Sequence, residues 1–249
     1  MSNVILEGKK LQKSFSDKGG NIDAVNSVDF TLRTGQFLGI VGESGSGKST
    51  LLRLIAGLEK ADEGSLFYKE KEYTNASPAE NGRFLQMIFQ DAYASFDPRM
   101  KMKDSILEGV KNTCPEAKLY DTMDKLGLKK GLLEKRPKEL SGGQCQRMSI
   151  LRALLCGAEI LLCDEITSAL DVVTQAQICE LLLQLRNQRE FSLIFVSHDI
   201  SLVSNLCDEM LVMYEGSVVE EGKTKDVITS PNHPYTKSLI SCSKGLSLS

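Results

Sequence analysis

The chain has 249 residues, 41% hydrophobic and 25% charged, with 30 basic against 33 acidic side chains for a net charge of −3. A chain of this length buries roughly three quarters of its unfolded surface, so one sizeable core needs neither disulfides nor a structural metal. Near-balanced charge without a long single-sign run argues against nucleic acid as the main partner. The seven cysteines, odd in number and without a C-x-x-C pair, suit a reducing compartment with buried thiols and no structural disulfide.

Residues 1–8 lack the basic and apolar regions of a signal peptide, and no stretch approaches about 18 uninterrupted apolar residues. The expectation is a cytosolic chain that cannot itself form a channel. Residues 4–15 and 25–32 read as strands joined by the loop Asp17-Lys18-Gly19-Gly20, a small antiparallel layer. Phe15 is the candidate for stacking on a purine base, since an aromatic face accepts a base with little demand on sequence; a core phenylalanine is the alternative. Val25 reads as core.

Next comes Gly42-Glu43-Ser44-Gly45-Ser46-Gly47-Lys48-Ser49, with the spacing G-x-x-x-x-G-K-[ST]. Apolar residues 37–41 precede it and Thr50-Leu51-Leu52-Arg53-Leu54-Ile55-Ala56 follows, the strand, loop and helix that a phosphate-binding loop needs. Its glycines let the backbone turn and aim N–H groups at phosphate oxygens, and the helix start adds its positive dipole end. Lys48 is expected to reach the β and γ phosphates of ATP, and Ser49 to hold Mg²⁺.

Residues 64–68 and 84–89 read as strands separated by a turn-rich stretch, with Gln90 at the end of the second. From 91 to 157 helical signals take over, at 105–110, 117–126 and 141–155, punctuated by Pro98, Pro115 and Pro137. Ile160-Leu161-Leu162-Cys163 reads as a buried parallel strand that delivers Asp164 and Glu165 at its C-terminal end, where open α/β sheets place their ligands. Asp164 is the candidate Mg²⁺ ligand and Glu165 the candidate to polarise the attacking water. A helix over 172–189 carries Ile178, Leu181, Leu182 and Leu185 at helical spacing, and 191–196 reads as another buried strand ending in Ser197-His198-Asp199.

Leu140-Ser141-Gly142-Gly143-Gln144 resembles the signature of the ATP-binding cassette (ABC) ATPases. The resemblance covers essentially the whole chain, because Gln90 matches the family's Q-loop, Ser168-Ala169-Leu170-Asp171 its D-loop and His198 its switch histidine. It implies an α/β P-loop NTPase with a RecA-like core, an N-terminal antiparallel β layer and an inserted α-helical subdomain. The core would take 1–90 and 158–230, the helical subdomain 91–157 and the tail 231–249. Lys48, Gln90, Glu165 and His198 would be catalytic; Ser49, Gln90 and Asp164 would hold the metal. Phe15, residues 42–50, Ser141, Gly142, Gly143, Gln144 and Asp171 would contact nucleotide.

The resemblance further implies that Ser141 caps a helix whose uncovered amides at Gly142 and Gly143 face the ATP held by a second cassette, packed head to tail. Two transmembrane permease subunits and, indirectly, an extracellular solute-binding protein complete such an assembly on the cytoplasmic face of the membrane. The segment 91–100, with Tyr93, Phe96 and Met100, is where family members dock a cytoplasmic helix of the permeases; packing inside the subdomain is the alternative for Tyr93 and Phe96.

Ser230-Pro231-Asn232-His233-Pro234-Tyr235-Thr236-Lys237-Ser238-Leu239-Ile240 resembles the C-terminal motif of peptide and nickel importer ATPases. The implied function is ATP-driven uptake of small peptides, nickel or a metal chelate, with a soluble ABC ATPase of DNA repair or translation as the alternative. Two departures stand out. Ile166 occupies the position after Asp-Glu where the family usually has proline, which is expected to loosen that turn, and Cys145 follows the signature directly. Cys145 is expected to be buried and unreactive, unless the helix start lowers its pKa. A single Cys242 near the end puts an iron–sulfur cluster in doubt.

Overall fold

The computed structural model describes residues 3–17, 20–82, 84–110, 114–188 and 191–246. Residues 1 and 2, Lys18 and Gly19 of the expected loop, Arg189 at the expected helix end and residues 247–249 of the tail lie outside them.

Two sheets carry the architecture. The first is antiparallel, with β1 (Val4–Asp17) at its centre between β2 (Gly20–Arg33) and β4 (Glu63–Tyr68), and β5 (Lys71–Glu72) at the edge beside β4. β2 starts five residues before the apolar pattern suggests. Its polar beginning is held by ladder pairing rather than burial, with Phe15 opposite Ile22 and Asp17 opposite Gly20, and by the Ser14 hydroxyl donating to Asp23 at 2.7 Å.

The second sheet has the order β10 (Ser217–Lys223), β9 (Glu209–Tyr214), β3 (Phe37–Val41), β8 (Ser192–Ser197), β7 (Ile160–Asp164), β6 (Leu85–Ile88). β9, β3, β8, β7 and β6 are parallel, and β10 returns antiparallel along the edge. Every residue of β3, β7 and β8 is buried, as a parallel strand covered on both faces requires.

The period of two along these strands divides the core. Leu38, Ile40, Ile160 and Leu162 face the antiparallel sheet and α1 (Lys48–Ala56), together with Leu51, Leu52 and Ile55. Phe37, Val41, Leu161 and Cys163 face the opposite way, against the remaining helices. A one-residue slip of either strand would exchange the two sets, so the register is tightly specified.

Between β6 and β7 the chain is helical: α3 (Met102–Glu108), α4 (Glu116–Lys125), two short 3₁₀ turns (Lys130–Glu134 and Pro137–Glu139), and α5 (Gly142–Leu155). A further short helix, α2 (Pro78–Asn81), precedes β6. After β7 come α6 (Val172–Gln188), α7 (Ile200–Leu206), α8 (Thr224–Thr229) and α9 (Pro234–Leu246). No helix among the described residues is long and apolar enough to cross a membrane. The sequence pattern assigns no element to 199–229, which forms α7, β9, β10 and α8; the Asp199 carboxylate caps α7 by accepting from Ser201 N–H at 2.8 Å.

Candidate functional site

β3, β7 and β8 end side by side, with Val41 opposite Ser197 and Asp164 opposite Val196. The loop from β3 into α1 therefore stands next to the carboxylates at the end of β7. A cleft of about 520 Å³ opens there, walled by Ser44, Gly45, Gly47, Lys48, Ser49, Thr50, Gln90 and Glu165.

The loop's geometry depends on glycine at Gly47, where φ is +100° and a Cβ would collide with the Ala24 carbonyl of β2. Lys48 is 3% exposed. Its ammonium donates to the carbonyls of Gly42 (2.9 Å) and Glu43 (2.7 Å), so it waits inside the loop. Burial pulls its pKa below the ordinary lysine value, against the pull of the Glu165, Asp164 and Glu43 carboxylates in the other direction. A cation desolvated in this way gains most from an incoming polyanion.

The Ser49 hydroxyl donates to Asp164 Oδ1 at 2.7 Å. Burial raises the Asp164 pKa, the Ser49 hydrogen bond opposes it, and neighbouring Glu165 raises it further. A buried carboxylate carrying that electrostatic load, beside a hydroxyl, is a hard-oxygen pair suited to Mg²⁺, which takes only one or two protein oxygens and completes its shell with phosphate and water.

Glu165 adopts a left-handed backbone with φ +47°. Its N–H donates to Val196 O (3.1 Å), and its carbonyl accepts from Ser168 N–H (3.1 Å) and from the Ser168 hydroxyl (2.9 Å). The turn expected to be loosened by Ile166 is thus closed by its own hydrogen bonds. Ile166 itself is 1% exposed and locked into the core. Gln90 lines the cleft, but its amide donates to the Ser168 hydroxyl at 3.0 Å, joining the end of β6 to the segment after Glu165. His198 stands outside the cleft wall with Nδ1 3.7 Å from Glu165 Oε2.

Phe15 is not core: it is 40% exposed, and the Lys13 ammonium lies 5.4 Å from its ring centroid. The cleft wall on that side is instead made by its cross-strand partner Ile22, with Asp23 and Ala24. Val25 is 1% exposed and belongs to the core. On the other side Glu215 and Gly216 complete the wall. Both have positive φ, the signature of a tight hairpin between β9 and β10. The long-range pairing of β9 with β3 brings that turn over the phosphate loop.

Ser141 caps α5 through a reciprocal box, its Oγ accepting from Gln144 N–H (3.3 Å) and its N–H donating to Gln144 Oε1 (3.1 Å). The amides at this helix start do not open on the phosphate loop of their own chain. Ser141, Gly142, Gly143 and Gln144 line a separate cleft of about 460 Å³ with Ala169, Leu170 and Asp171. The glycines have a packing role as well: a Cβ at Gly143 would press on Thr174, and one at Gly142 on Leu170. Asp171, expected at the nucleotide, caps α6 by accepting from the N–H (2.9 Å) and hydroxyl (2.7 Å) of Thr174.

The segment 91–100 splits by role. Phe96 is buried, with the Arg152 guanidinium over its ring at 4.4 Å, so it packs inside rather than docking a partner. Tyr93 stays 40% exposed while its hydroxyl donates to Leu140 O at 2.8 Å, next to Ser141.

The seven cysteines are free thiols. Cys145 is fully buried, and burial pushes its pKa up to about 11, with Asp91 adding to the rise. Iodoacetamide near neutral pH should therefore modify exposed Cys242 in the folded chain and reach Cys145 only after denaturation. Native-state labelling of Cys145 as fast as Cys242, read by peptide mass spectrometry, would contradict this burial.

The sequence profile described as ABC transporter matches residues 25–168. The chain is 43% identical to the oligopeptide transport ATP-binding protein OppF of Haemophilus influenzae over 248 residues, covering 96% of this chain and 75% of that protein. It is 38% identical to the dipeptide transport ATP-binding protein DppF of the same organism over 247 residues, 95% and 75% of the two chains. Among solved structures, the post-hydrolysis dimer of the ATP-binding cassette MJ0796, bound to ADP and Pi, superposes with a TM-score of 0.78. It is 27% identical and covers 88% of this chain and 99% of that one.

Proposed function

The chain belongs to the ABC transporter family, and from that premise we propose that it is the ATP-hydrolysing subunit of an importer of short peptides, closing with a second cassette around two ATP molecules on the cytoplasmic face of a membrane. The peptide cargo is favoured over nickel or a metal chelate by the OppF and DppF relatives. The same similarity, running over nearly the whole chain, sets aside the DNA-repair and translation alternative.

The observation that carries the reading is a division of labour between two clefts. Lys48, Ser49, Thr50, Gln90 and Glu165 converge on one, while Ser141, Gly142, Gly143 and Gln144 open on the other. Each cassette would thus offer half of a hydrolytic site to its partner, with Asp171 beside the exposed half.

In this reading the amides of Ser44, Gly45, Ser46, Gly47, Lys48 and Ser49 cradle the phosphates, and the Lys48 ammonium leaves the Gly42 and Glu43 carbonyls for the β and γ oxygens. Ser49, Asp164 and Gln90 would hold Mg²⁺, which when bound would supply positive charge to the phosphate oxygens. Glu165 orients the water and takes its proton, and His198 contacts the γ-phosphate as the cleft closes. Phe15 and Ile22 flank the base. Catalysis is positioning and electrostatics more than covalent chemistry.

Two permease subunits are the remaining partners, with an extracellular solute-binding protein reaching the chain only through them. Exposed Tyr93 lies within the 91–100 segment, and exposed Leu58 and Phe89 line one cleft with Arg152. Tyr93 grips Leu140, and Arg152 of α5 donates to Ser95 O at 2.8 Å, so force applied there reaches Ser141 directly.

The test is reconstitution with the cognate permeases in proteoliposomes, measuring phosphate release with and without binding protein loaded with short peptides. Peptide-dependent stimulation is the expected result. Stimulation by nickel alone would overturn the cargo assignment, and turnover indifferent to the permeases would overturn the transport role.

A further inference from the structure

Tyr235 belongs to the tail motif, which neither cleft uses. The Glu220 carboxylate of β10 accepts from the N–H of Asn232 (2.8 Å) and of His233 (3.0 Å), and His233 Nδ1 accepts from the N–H of Tyr235 (3.2 Å). The entry to α9 is therefore tied down. From it the Tyr235 ring lies against Tyr214, with centroids 4.4 Å apart. Its hydroxyl accepts from the backbone N–H of Glu43 at 2.8 Å.

Glu43 is exposed, as are Ser44 and Gly45 after it. Its N–H is held by the tail phenol, and its carbonyl receives the Lys48 ammonium at 2.7 Å. Tyr214 immediately precedes Glu215 and Gly216, which wall the nucleotide cleft, and the N–H of Gly216 donates to Ser46 O at 3.2 Å. A single ring thus touches both the stem of the phosphate loop and the strand that feeds the opposite wall.

We propose that Tyr235 is a positioning residue for ATP: its hydroxyl fixes the Glu43 backbone, which sets where Lys48 waits, so the C-terminal tail tunes the affinity of the phosphate loop for nucleotide. The inference rests on the ATPase reading above. A loop already held in its binding shape loses less conformational entropy when the triphosphate arrives.

Tyr235→Phe keeps the ring and deletes only the hydroxyl. With a fluorescent ATP analogue and Mg²⁺ on the full chain, Kd should rise about five-fold, the size of one neutral hydrogen bond. Amide exchange should quicken in the peptide spanning 42–48, and the unfolding midpoint without nucleotide should move by less than about 2 °C. Unchanged Kd with unchanged loop exchange would overturn the proposal. So would weaker binding accompanied by faster exchange across the whole chain and a lower midpoint, because that pattern is general destabilisation. A parent chain that does not bind the analogue would overturn the ATPase reading together with this one, whereas a parent that binds and a variant that binds equally would remove this inference alone.

Discussion

Glu165→Gln should lower ATP turnover by about 10²–10⁴-fold, the usual contribution of a positioned general base, while leaving ATP bound and two cassettes held together. The amide has the shape of the carboxylate but cannot take a proton from water at neutral pH. Binding should survive because Glu165 is a like-charge neighbour of Asp164 and adds to its rise in pKa. Deleting that charge removes repulsion from the place where the γ-phosphate comes to rest. The backbone turn is unaffected, since the hydrogen bonds that close it run from the main chain of Glu165 and from Ser168. With hydrolysis blocked and nucleotide retained, light scattering after gel filtration in Mg-ATP should report a stable pair of cassettes where the parent chain dissociates. Turnover within about ten-fold of the parent would take the water-activating role away from Glu165.

Much of this site is legible in the order of residues alone, and the reasons are local. A phosphate loop is a run of consecutive residues, so Gly42 to Ser49 declares its own chemistry, and the apolar strands on which it and Asp164 stand are continuous hydrophobic runs. The reciprocal cap of Ser141 and Gln144 is likewise a pattern confined to a few neighbouring residues. What the sequence conceals is set by distant pairing. Ile22 sits in a polar stretch that becomes strand only because β1 lies beside it, and Glu215 reaches the cleft only because β9 joins β3. Tyr235 reads as part of a family motif, yet its contact with Glu43 spans 192 residues of chain. Asp171 is an intermediate case: its cap on α6 is local, but only the fold brings it into the same cleft as Ser141.

Ser141→Arg is expected to leave nucleotide affinity of the substituted chain within about two-fold of the parent and to abolish hydrolysis in the site that the substituted segment faces. Affinity should hold because Ser141 belongs to a cleft separate from the one walled by Lys48, Ser49 and Glu165. Ser141 is exposed, so the longer side chain is accommodated without unfolding α5, with loss of its cap, typically about 1 kcal/mol. A guanidinium there occupies the space through which the amides of Gly142 and Gly143 would approach a partner's triphosphate, and it disables that one site. A mixing experiment isolates the shared arrangement. Ser141→Arg chains and Lys48→Ala chains, each inactive alone, form in mixed pairs one site whose phosphate loop and signature are both intact, and turnover should return in part. Mixed chains that stay as inactive as either parent variant, or a Ser141→Arg chain that loses ATP binding as completely as Lys48→Ala, would mean that each chain builds its hydrolytic site alone.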